Sequence, residues 1–348
     1  MALQSSGQIS LNDVNVELGN AGTDSINMGS SAVRDLFGVP SGAIAMSDGY
    51  GASSAPPWAG SRGVFGGGTS NSNVIDYITI ASTGNATDFG NLSVGRNIVS
   101  GCSNGTRGVF AGGLVSSSYQ NVIDYITVAS TGNATDFGDL TQARLGSGAC
   151  SNGTRGVFGG GGILGIPREV WTTDYITISS TGNASSFGNL TVKRKTLTAC
   201  ANETRGIFGG GFSYDASQTT YDTMDYVTIM TTGNATDFGN LTHARSELSA
   251  CSDTTRGVFA GGRLSYNSTI YNTIDYVTIA TTGNANDFGD LTSARTGVAA
   301  CSDGTTGVFG GGLSSNVIDY ITIQTTGNAS DFGDLTVARS HLGALAGG

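Results

Sequence analysis

The sequence carries little charge, and most of that charge is of one sign. Only 12% of the 348 residues are charged, about half of the usual share of roughly 25%. The 26 acids outnumber the 16 lysines and arginines, which leaves a net charge of −10. A protein that binds nucleic acid needs a basic surface to displace phosphate counterions. We therefore expect no nucleic-acid partner.

Histidine and long apolar runs are also scarce. The chain has two histidines, His243 and His341. This scarcity disfavours acid–base catalysis, so we predict a non-enzymatic chain with no catalytic residue, metal site or cofactor. No run approaches the 18 or more apolar residues of a membrane-spanning helix, and we expect no membrane insertion. The first residues lack the basic and apolar regions of a signal peptide, which predicts no export by that route.

Glycine, in contrast, is abundant and belongs to an internal repeat. It makes up 56 of 348 residues, which excludes a helical bundle because Gly costs about 1 kcal/mol at an interior helix position. From residue 61 one unit recurs six times at intervals of 45 to 51 residues, a period typical of propellers and solenoids. Its marker is the Phe of a Gly-Val-Phe or Gly-Ile-Phe sequence: Phe65, Phe110, Phe158, Phe208, Phe259 and Phe309.

Each unit is predicted to form four short antiparallel strands, named a to d. Strand a carries a Cys, strand b the Gly-Val-Phe, strand c Asp-Tyr-Ile-Thr-Ile, and strand d Phe-Gly-Asp-Leu. The first unit begins at strand b, and residues 339–346 read as a strand a with no strand b after it. These ends are complementary. The sequence therefore predicts an all-β fold, a six-bladed β-propeller closed by the C-terminal strand.

The order of these signals resembles the kelch repeat over residues 61–348. Shared features are an Arg, a turn of the Asn-Gly type, an apolar strand ending in Gly-Gly, a Tyr strand and a final aromatic residue. Kelch repeats usually carry Trp at the last position, where this chain has Phe, so we describe the units as kelch-like. Kelch propellers serve enzymes, adaptors and receptor-binding proteins alike, and the resemblance implies the fold without fixing the function.

Residues 1–50 lie outside the repeat and are predicted to hold two short helices. One follows a Ser-x-x-Asp start at Ser10, and the other runs from Ser31 to Gly38. We interpret residues 51–61 as a linker and 62–348 as the propeller. Because two short helices cannot bury a core alone, we expect them to dock on the propeller or on other subunits, which favours a homo-oligomer.

Two phrases of this segment look like an N-terminal module of tailed-bacteriophage structural proteins, particularly those of marine phages and cyanophages. They are Ile-Ser-Leu-Asn-Asp-Val-Asn-Val-Glu-Leu at residues 9–18 and Ala-Val-Arg-Asp-Leu-Phe-Gly-Val-Pro-Ser-Gly at residues 32–42. The resemblance implies a virion component, assembled in the host cytoplasm, that is anchored to other virion proteins. The predicted anchoring residues are Leu11, Val14, Val16, Leu18, Val33, Leu36 and Phe37.

Residues that recur in every unit are interpreted as structural. An Asp before the Tyr of strand c and an Arg after strand d each recur six times, which suits a carboxylate–guanidinium bond between strands or blades better than calcium binding. Five cysteines share one position on strand a. Neighbouring sheets lie about 10 Å apart, beyond the roughly 7 Å Cα limit of a disulfide, so we expect reduced, buried cysteines on the innermost strand.

The loops between strands b and c break the repetition. They grow to about a dozen residues in blades 3–5 and gain aromatic residues, and strand alternation directs them to one face. Exposed aromatic side chains suit a glycan or protein partner, although they can equally cover apolar loop residues such as Ile163 and Leu164. The predicted binding residues are Tyr119, Trp171, Tyr214, Tyr221, Tyr266 and Tyr271.

These features favour a non-enzymatic bacteriophage virion protein. It would be a tail fibre or another fibre or decoration component that presents the propeller to a host receptor or glycan, or to neighbouring virion proteins. The alternative is a propeller enzyme acting on cell-surface carbohydrate, which predicts unlike acids, Tyr or His at the mouth of the central channel. A third hypothesis, a cellular kelch adaptor, requires a partner-recruiting domain that residues 1–60 do not resemble.

Overall fold

The structure, a computed structural model, describes residues 10–18, 31–37, 56, 58–166, 168–214, 218–264, 269–313 and 315–348. The chain divides into two units, Met1–Pro56 and Pro57–Gly348. In the first unit both predicted helices are confirmed, as α1 (Leu11–Glu17) and α2 (Ser31–Phe37). The start of α1 is a capping box, in which the Ser10 N–H donates to the Asp13 carboxylate at 2.7 Å and the Asp13 N–H donates to the Ser10 hydroxyl.

The second unit is built from short strands. In chain order they are β1 (Arg62–Gly66), β2 (Val74–Thr79), β3 (Thr87–Asn91), β4 (Ser100–Ser103), β5 (Arg107–Ala111), β6 (Leu114–Val115), β7 (Ser118–Tyr119), β8 (Val122–Thr127), β9 (Thr135–Asp139), β10 (Gly148–Ser151), β11 (Arg155–Gly159), β12 (Thr172–Thr177), β13 (Ser185–Asn189), β14 (Thr198–Ala201), β15 (Arg205–Gly209), β16 (Thr223–Thr228), β17 (Thr236–Asn240), β18 (Ser249–Ser252), β19 (Arg256–Ala260), β20 (Thr273–Thr278), β21 (Asn286–Asp290), β22 (Ala299–Ser302), β23 (Thr306–Gly310), β24 (Val317–Thr322), β25 (Ser330–Asp334) and β26 (Gly343–Gly347).

Six four-stranded antiparallel sheets form the blades of a propeller. Blade 1 has the order β26-β1-β2-β3, so the C-terminal strand supplies its strand a and pairs with β1 from Gly66 opposite Gly343 to Arg62 opposite Gly347. Blades 2 to 6 are β4-β5-β8-β9, β10-β11-β12-β13, β14-β15-β16-β17, β18-β19-β20-β21 and β22-β23-β24-β25. The six strands a contact one another around the central axis. The predicted six-bladed propeller, closed by the C-terminal strand, is confirmed.

The Gly that opens each Gly-Val-Phe is required because strand a of the preceding blade packs against it. A Cβ at Gly206 of blade 4 would lie 2.6 Å from the Sγ of Cys150 in blade 3. The same contact recurs at four further junctions, and Leu345 replaces the Cys at the remaining one, against Gly108. The five cysteines are free and buried, as predicted. Burial raises the pKa of Cys150 to about 12, which keeps the thiol protonated at neutral pH.

We expect Gly206→Ala to destabilise the propeller by about 1–2 kcal/mol, since overpacking a tight core outweighs the entropy gained by replacing Gly. Cys150→Ala removes the opposing Sγ, so the double variant should be more stable than the sum of the two single losses by about 1 kcal/mol, measured by urea unfolding. Gly233→Ala is the matched control, because its Cβ meets nothing within 4 Å. Strictly additive losses would contradict the contact.

The recurring Arg and Asp form buried ion pairs between consecutive blades, as predicted. Arg194, which follows strand d of blade 3, lies 2.9 Å from Asp225 on strand c of blade 4, and both side chains are 0% exposed. Arg339 and Asp76 join blade 6 to blade 1 in the same way. The six pairs are Arg96–Asp124, Arg144–Asp174, Arg194–Asp225, Arg245–Asp275, Arg295–Asp319 and Arg339–Asp76.

The Thr-Gly-Asn turn between strands c and d covers the outer edge of the preceding blade. The N–H groups of Gly132 and Ala134 donate to the carbonyls of Phe89 and Asn91, at 2.7 and 2.8 Å. The Asn91 N–H donates in return to the side chain of Asn133 at 3.0 Å. The same three bonds recur at all six junctions, including that between blades 6 and 1. The outer strand of every blade is therefore paired rather than left as an open edge.

Candidate functional site

The antiparallel order gives the propeller two different faces. The loop face carries the b–c loops and the connections from strand d to the next strand a; the turn face carries the a–b and c–d turns. The b–c loops of blades 2–5 are tied to the d–a connection of the preceding blade by isolated β-bridges. The bridged pairs are Asn97–Leu114, Leu145–Gly162, Lys195–Phe212 and Ser246–Arg263.

The chain enters the propeller on the turn face. Trp58, which the sequence analysis assigns to the linker, is buried and lines one end of the axial channel beside Ser103. Ser61 donates its N–H to the carbonyl of Gly348 at 3.2 Å, so the first and last residues of the propeller meet there. The loop face is the opposite end of the blades.

The d–a connections form a closed ring of six backbone hydrogen bonds at the loop-face end of the axis. Each member donates its N–H to the carbonyl of the preceding member at 2.7 to 3.2 Å, and each has a left-handed backbone with φ between 51° and 70°. The ring passes from the last blade to the first, so it is a second closure of the propeller. Its members are Ile98, Gly146, Thr196, Glu247, Gly297 and His341.

Two ring members make a side-chain contact that breaks the sixfold repetition. The Nε2 of His341 lies 3.2 Å from the Oε2 of Glu247, whose carboxylate also contacts Arg263 and accepts from the Thr296 hydroxyl at 2.9 Å. Burial alone would raise the pKa of Glu247. The hydrogen bond and charge of His341, the charge of Arg263 and the Thr296 hydroxyl outweigh this and lower the pKa to about 2. Glu247 is therefore an anion throughout the neutral range.

We expect Glu247 to stabilise the propeller above about pH 4.5 and to lose this effect as the pH falls towards 2. A group whose pKa is lower in the folded chain takes up protons more readily on unfolding, so stability declines through that window. The free energy of unfolding of the native chain should exceed that of Glu247→Gln near neutral pH, and the two should converge in acid, measured by urea unfolding. A difference in unfolding free energy that stays constant with pH would argue against stabilisation by the charged Glu247 carboxylate.

Beside the ring lies a cleft with a basic and aromatic lining, which we call the cationic cleft. It has a volume of about 520 Å³, is open to solvent, and is lined by Ile98, Leu145, Lys195, Thr196, Phe212, Tyr214, Ser246, Glu247 and Arg263. The Lys195 Nζ lies 4.2 Å from the ring centroid of Tyr214, and the Arg168 Cζ lies 5.3 Å from it. Burial lowers the pKa of Lys195, and the charge of Glu169 partly offsets this.

The structure places the predicted aromatic residues in two different settings. Trp171 and Tyr214 are exposed, at 44% and 39%, and both stand beside basic side chains. Tyr119, Tyr221 and Tyr271 are half-buried. Tyr221 and Tyr271 also accept backbone hydrogen bonds from the buried arginines of the next junctions, so they contribute to the scaffold. Tyr266 lies outside the described residues.

Exposed apolar side chains of the propeller are concentrated on the loop face. Among the residues that the structure describes, eight of the nine exposed large apolar side chains of the propeller belong to b–c loops or d–a connections. Ile166 of blade 3 is 96% exposed and Leu164 is 67% exposed. The eight are Val94, Leu164, Ile166, Trp171, Tyr214, Leu264, Leu313 and Val337, and the ninth, Met230, lies on the turn face.

The predicted anchoring residues of the first unit differ in exposure. Val14, Val33, Leu36 and Phe37 are buried, Leu18 is half-buried and Val16 is 49% exposed. The side chain of Leu11 lies outside the described residues. Their anchoring role stays a prediction.

Within the described ranges, no helix combines the length and hydropathy needed to cross a bilayer. The same ranges contain no grouping of three or more His, Cys, Asp or Glu residues suited to a metal ion. His243 is exposed, as its predicted role of a surface substitution requires, and its ring lies 5.0 Å from that of Tyr271. No protein-family model matches the chain, and no curated protein matches it.

Sequence reasoning missed both the ring and the cationic cleft. Ring members occupy one position, two residues after the repeated Arg, but they are of five residue types, so no motif marks them. Their fixed spacing from the Arg is the signal that was available. A sequence signal for the basic residues of the cleft was also available, because both lysines of the chain, Lys193 and Lys195, lie two positions apart.

Proposed function

We propose that this chain is a structural protein of a tailed bacteriophage whose loop face contacts a host-surface glycan or receptor, or a neighbouring virion protein. The observation that supports a contact role is the concentration of exposed apolar side chains on that face. Exposed apolar side chains that gather on one face, rather than being scattered over the whole surface, are typical of interaction sites. The repeated residues, in contrast, are engaged in holding the blades together.

The bacteriophage part of the proposal rests on the resemblance of residues 9–18 and 32–42 to an N-terminal phage module. The direction in which the chain enters the propeller is compatible with an anchor at one end and a contact surface at the other. The chain enters the propeller on the turn face, which is the opposite end of the blades from the loop face. A non-enzymatic virion role also agrees with the scarcity of histidine and of non-repeated acidic residues outside the ring, because a propeller enzyme would need such residues.

An adsorption experiment tests the proposal on the full chain. Antibodies against the propeller should label intact particles of the virus that encodes it, and the added chain should slow adsorption to host cells. A variant with Leu164→Ser, Ile166→Ser and Trp171→Ala should slow adsorption less, whereas Met230→Ser, on the turn face, should act as the native chain does. Unlabelled particles would overturn the virion role, and equal blocking by all variants would overturn the role of the loop face.

A second function, a propeller hydrolase, is favoured by one arrangement at the ring. The Ser340 Oγ lies 3.0 Å from the Nδ1 of His341, whose Nε2 lies 3.2 Å from Glu247, so a Ser, a His and an acid are linked, with the two imidazole nitrogens in exchanged roles compared with a Ser-His-acid triad. However, Ser340 is only 5% exposed, which leaves a substrate carbonyl no direct approach to its hydroxyl. Turnover of acylated cell-surface polysaccharide that is abolished by Ser340→Ala and by His341→Gln would favour this function over binding.

A further inference from the structure

The basic residues that fall outside the repeat are gathered on one part of the loop face. Six arginines recur after strand d, five recur at the start of strand b, and Arg34 belongs to the first unit. The four that remain lie in the b–c loops of blades 3 and 5 and in the connection between blades 3 and 4. They are Arg168, Lys193, Lys195 and Arg263.

This grouping is unusual in a chain with a net charge of −10. Propeller geometry does not require it, because the equivalent positions in other blades hold residues such as Asn97 and Leu145. Like charges repel, so a local excess of cations is unfavourable unless acids or a bound anion compensate for it. At the cationic cleft Lys195 lies beside Glu169 and Arg263 contacts Glu247, so these two pairs balance in charge, and Arg168 beside Tyr214 adds one further positive charge.

Lys195 keeps hydrogen-bonding capacity towards the cleft. Its Nζ lies 3.9 Å from the Oε1 of Glu169, which is too far for a hydrogen bond, and that oxygen is buried without a hydrogen-bond partner. The lysine is only 15% exposed, so an anion that reaches it is partly shielded from water. A charge-assisted hydrogen bond is stronger in such a setting than on an open surface.

The cleft also offers an aromatic ring and hydroxyl groups. Tyr214 is packed edge-on against Phe212 at 4.9 Å, which fixes its ring, and it remains 39% exposed. The hydroxyls of Thr196 and Ser246 and the carboxylate of Glu247 are further lining groups. A rigid aromatic surface beside hydrogen-bonding groups suits the apolar face and the hydroxyls of a sugar ring.

We propose that the cationic cleft binds an anionic sugar residue, with its carboxylate or phosphate facing Lys195 and Arg263 and its ring against Tyr214. The inference rests on the proposed function, in which the loop face contacts a host-surface glycan, and it specifies the chemistry of that glycan. A uronate and a sugar phosphate share the required negative charge.

Isothermal titration of the full chain with four probes tests the inference. The probes are methyl glucuronide, glucose 6-phosphate, methyl glucoside and inorganic phosphate. We expect the glucuronide or the sugar phosphate to bind about tenfold more tightly than the neutral glucoside and than phosphate alone. Which anionic sugar binds better distinguishes the two sources of charge.

Variants locate the binding. Lys195→Gln and Tyr214→Ala should each weaken binding of the better anionic sugar about fivefold or more, and added salt should weaken it further. Arg107→Gln is the matched control, because it removes one positive charge at the turn face, where the Arg107 guanidinium donates to Ile178. It should leave the affinity unchanged. Circular dichroism checks that each variant is folded.

Three outcomes would overturn the inference: no binding of any probe, neither anionic sugar binding more tightly than both the glucoside and phosphate, or binding of the better anionic sugar unchanged in Lys195→Gln. Failure of the proposed function is distinguishable from these. If the native chain and Lys195→Gln block adsorption equally, the loop-face function stands and the anionic-sugar inference fails. If the chain binds the anionic sugar but antibodies against the propeller do not label particles, the anionic-sugar inference stands and the virion role fails.

Discussion

Deletion of residues 343–348 is expected to lower the free energy of unfolding by at least about 5 kcal/mol, a larger loss than any single substitution. The deletion removes strand a of blade 1, and with it the buried side chain of Leu345, which packs with Val64 and Phe110. A buried Leu alone contributes about 2–5 kcal/mol. The deletion also leaves one edge of β1 unpaired from Arg62 to Gly66. Since domains are stable by about 5–15 kcal/mol, thermal unfolding should begin near room temperature.

Two controls separate the loss of the strand from the loss of one side chain. Leu345→Cys gives blade 1 the residue that the other blades carry and should cost only about 1–2 kcal/mol. A synthetic peptide of residues 340–348, added to the truncated chain, should raise its melting temperature in a concentration-dependent way, whereas a scrambled peptide should not. A truncated chain that melts at the temperature of the native chain would contradict closure by β26.

Asp225→Asn is expected to destabilise the propeller by about 3–5 kcal/mol. The substitution leaves the guanidinium of Arg194 buried without its counter-charge, and removing one partner of a buried pair costs far more than the net contribution of the pair. The Asp225 carboxylate also accepts hydrogen bonds from the N–H and the hydroxyl of Thr191, so it joins three parts of the blade junction. Urea unfolding of the purified variants measures the effect.

The double variant Arg194→Met with Asp225→Leu should lose much less stability than Asp225→Asn, because it leaves no buried charge. Asp237→Asn is the matched control for the chemical change, since Asp237 lies exposed on the outer strand of the same blade, and its effect should stay within about 0.5 kcal/mol. A loss below about 1 kcal/mol for Asp225→Asn would mean that the ion pair does not hold the blades together.

Recurrence made the scaffold predictable from the sequence. A residue that returns six times at one position must occupy six equivalent environments, so the recurring Arg and Asp could be assigned to blade junctions before any coordinates. The Cys was placed on the innermost strand because it stands among Gly, Ala and Ser, and small residues fit where six strands converge. The C-terminal strand could be assigned to blade 1 because the first unit lacks a strand a.

The parts of the loop face that differ between blades could not be predicted in this way. Glu247 and His341 meet because a ring of backbone hydrogen bonds brings together residues 94 positions apart in sequence, and only the closed propeller creates that proximity. The cationic cleft likewise combines Lys195, Tyr214 and Arg263 from different blades. Trp58 reads as a linker residue because its partners on strand a are distant in sequence.

The same limit applies to the aromatic residues. Trp171 and Tyr221 lie in loops of similar length but at different positions, because the Leu190 and Leu241 N–H groups donate to the carbonyls of Trp171 and Asp222. Tyr221 therefore corresponds to the buried Val170 of blade 3, whereas Trp171 occupies the next, exposed position. Aromatic content therefore predicted the region that departs from the repeat but not which side chains face solvent.

Hydrogen exchange of the full chain, alone and bound to host envelope fragments, tests most directly that the loop face is the contact surface. Protection is expected in peptides covering residues 162–172, 193–197 and 211–221, with unchanged exchange in the c–d turns around residues 131–134 and 181–184. Protection confined to those turns, with the loop-face peptides unchanged, would contradict the account.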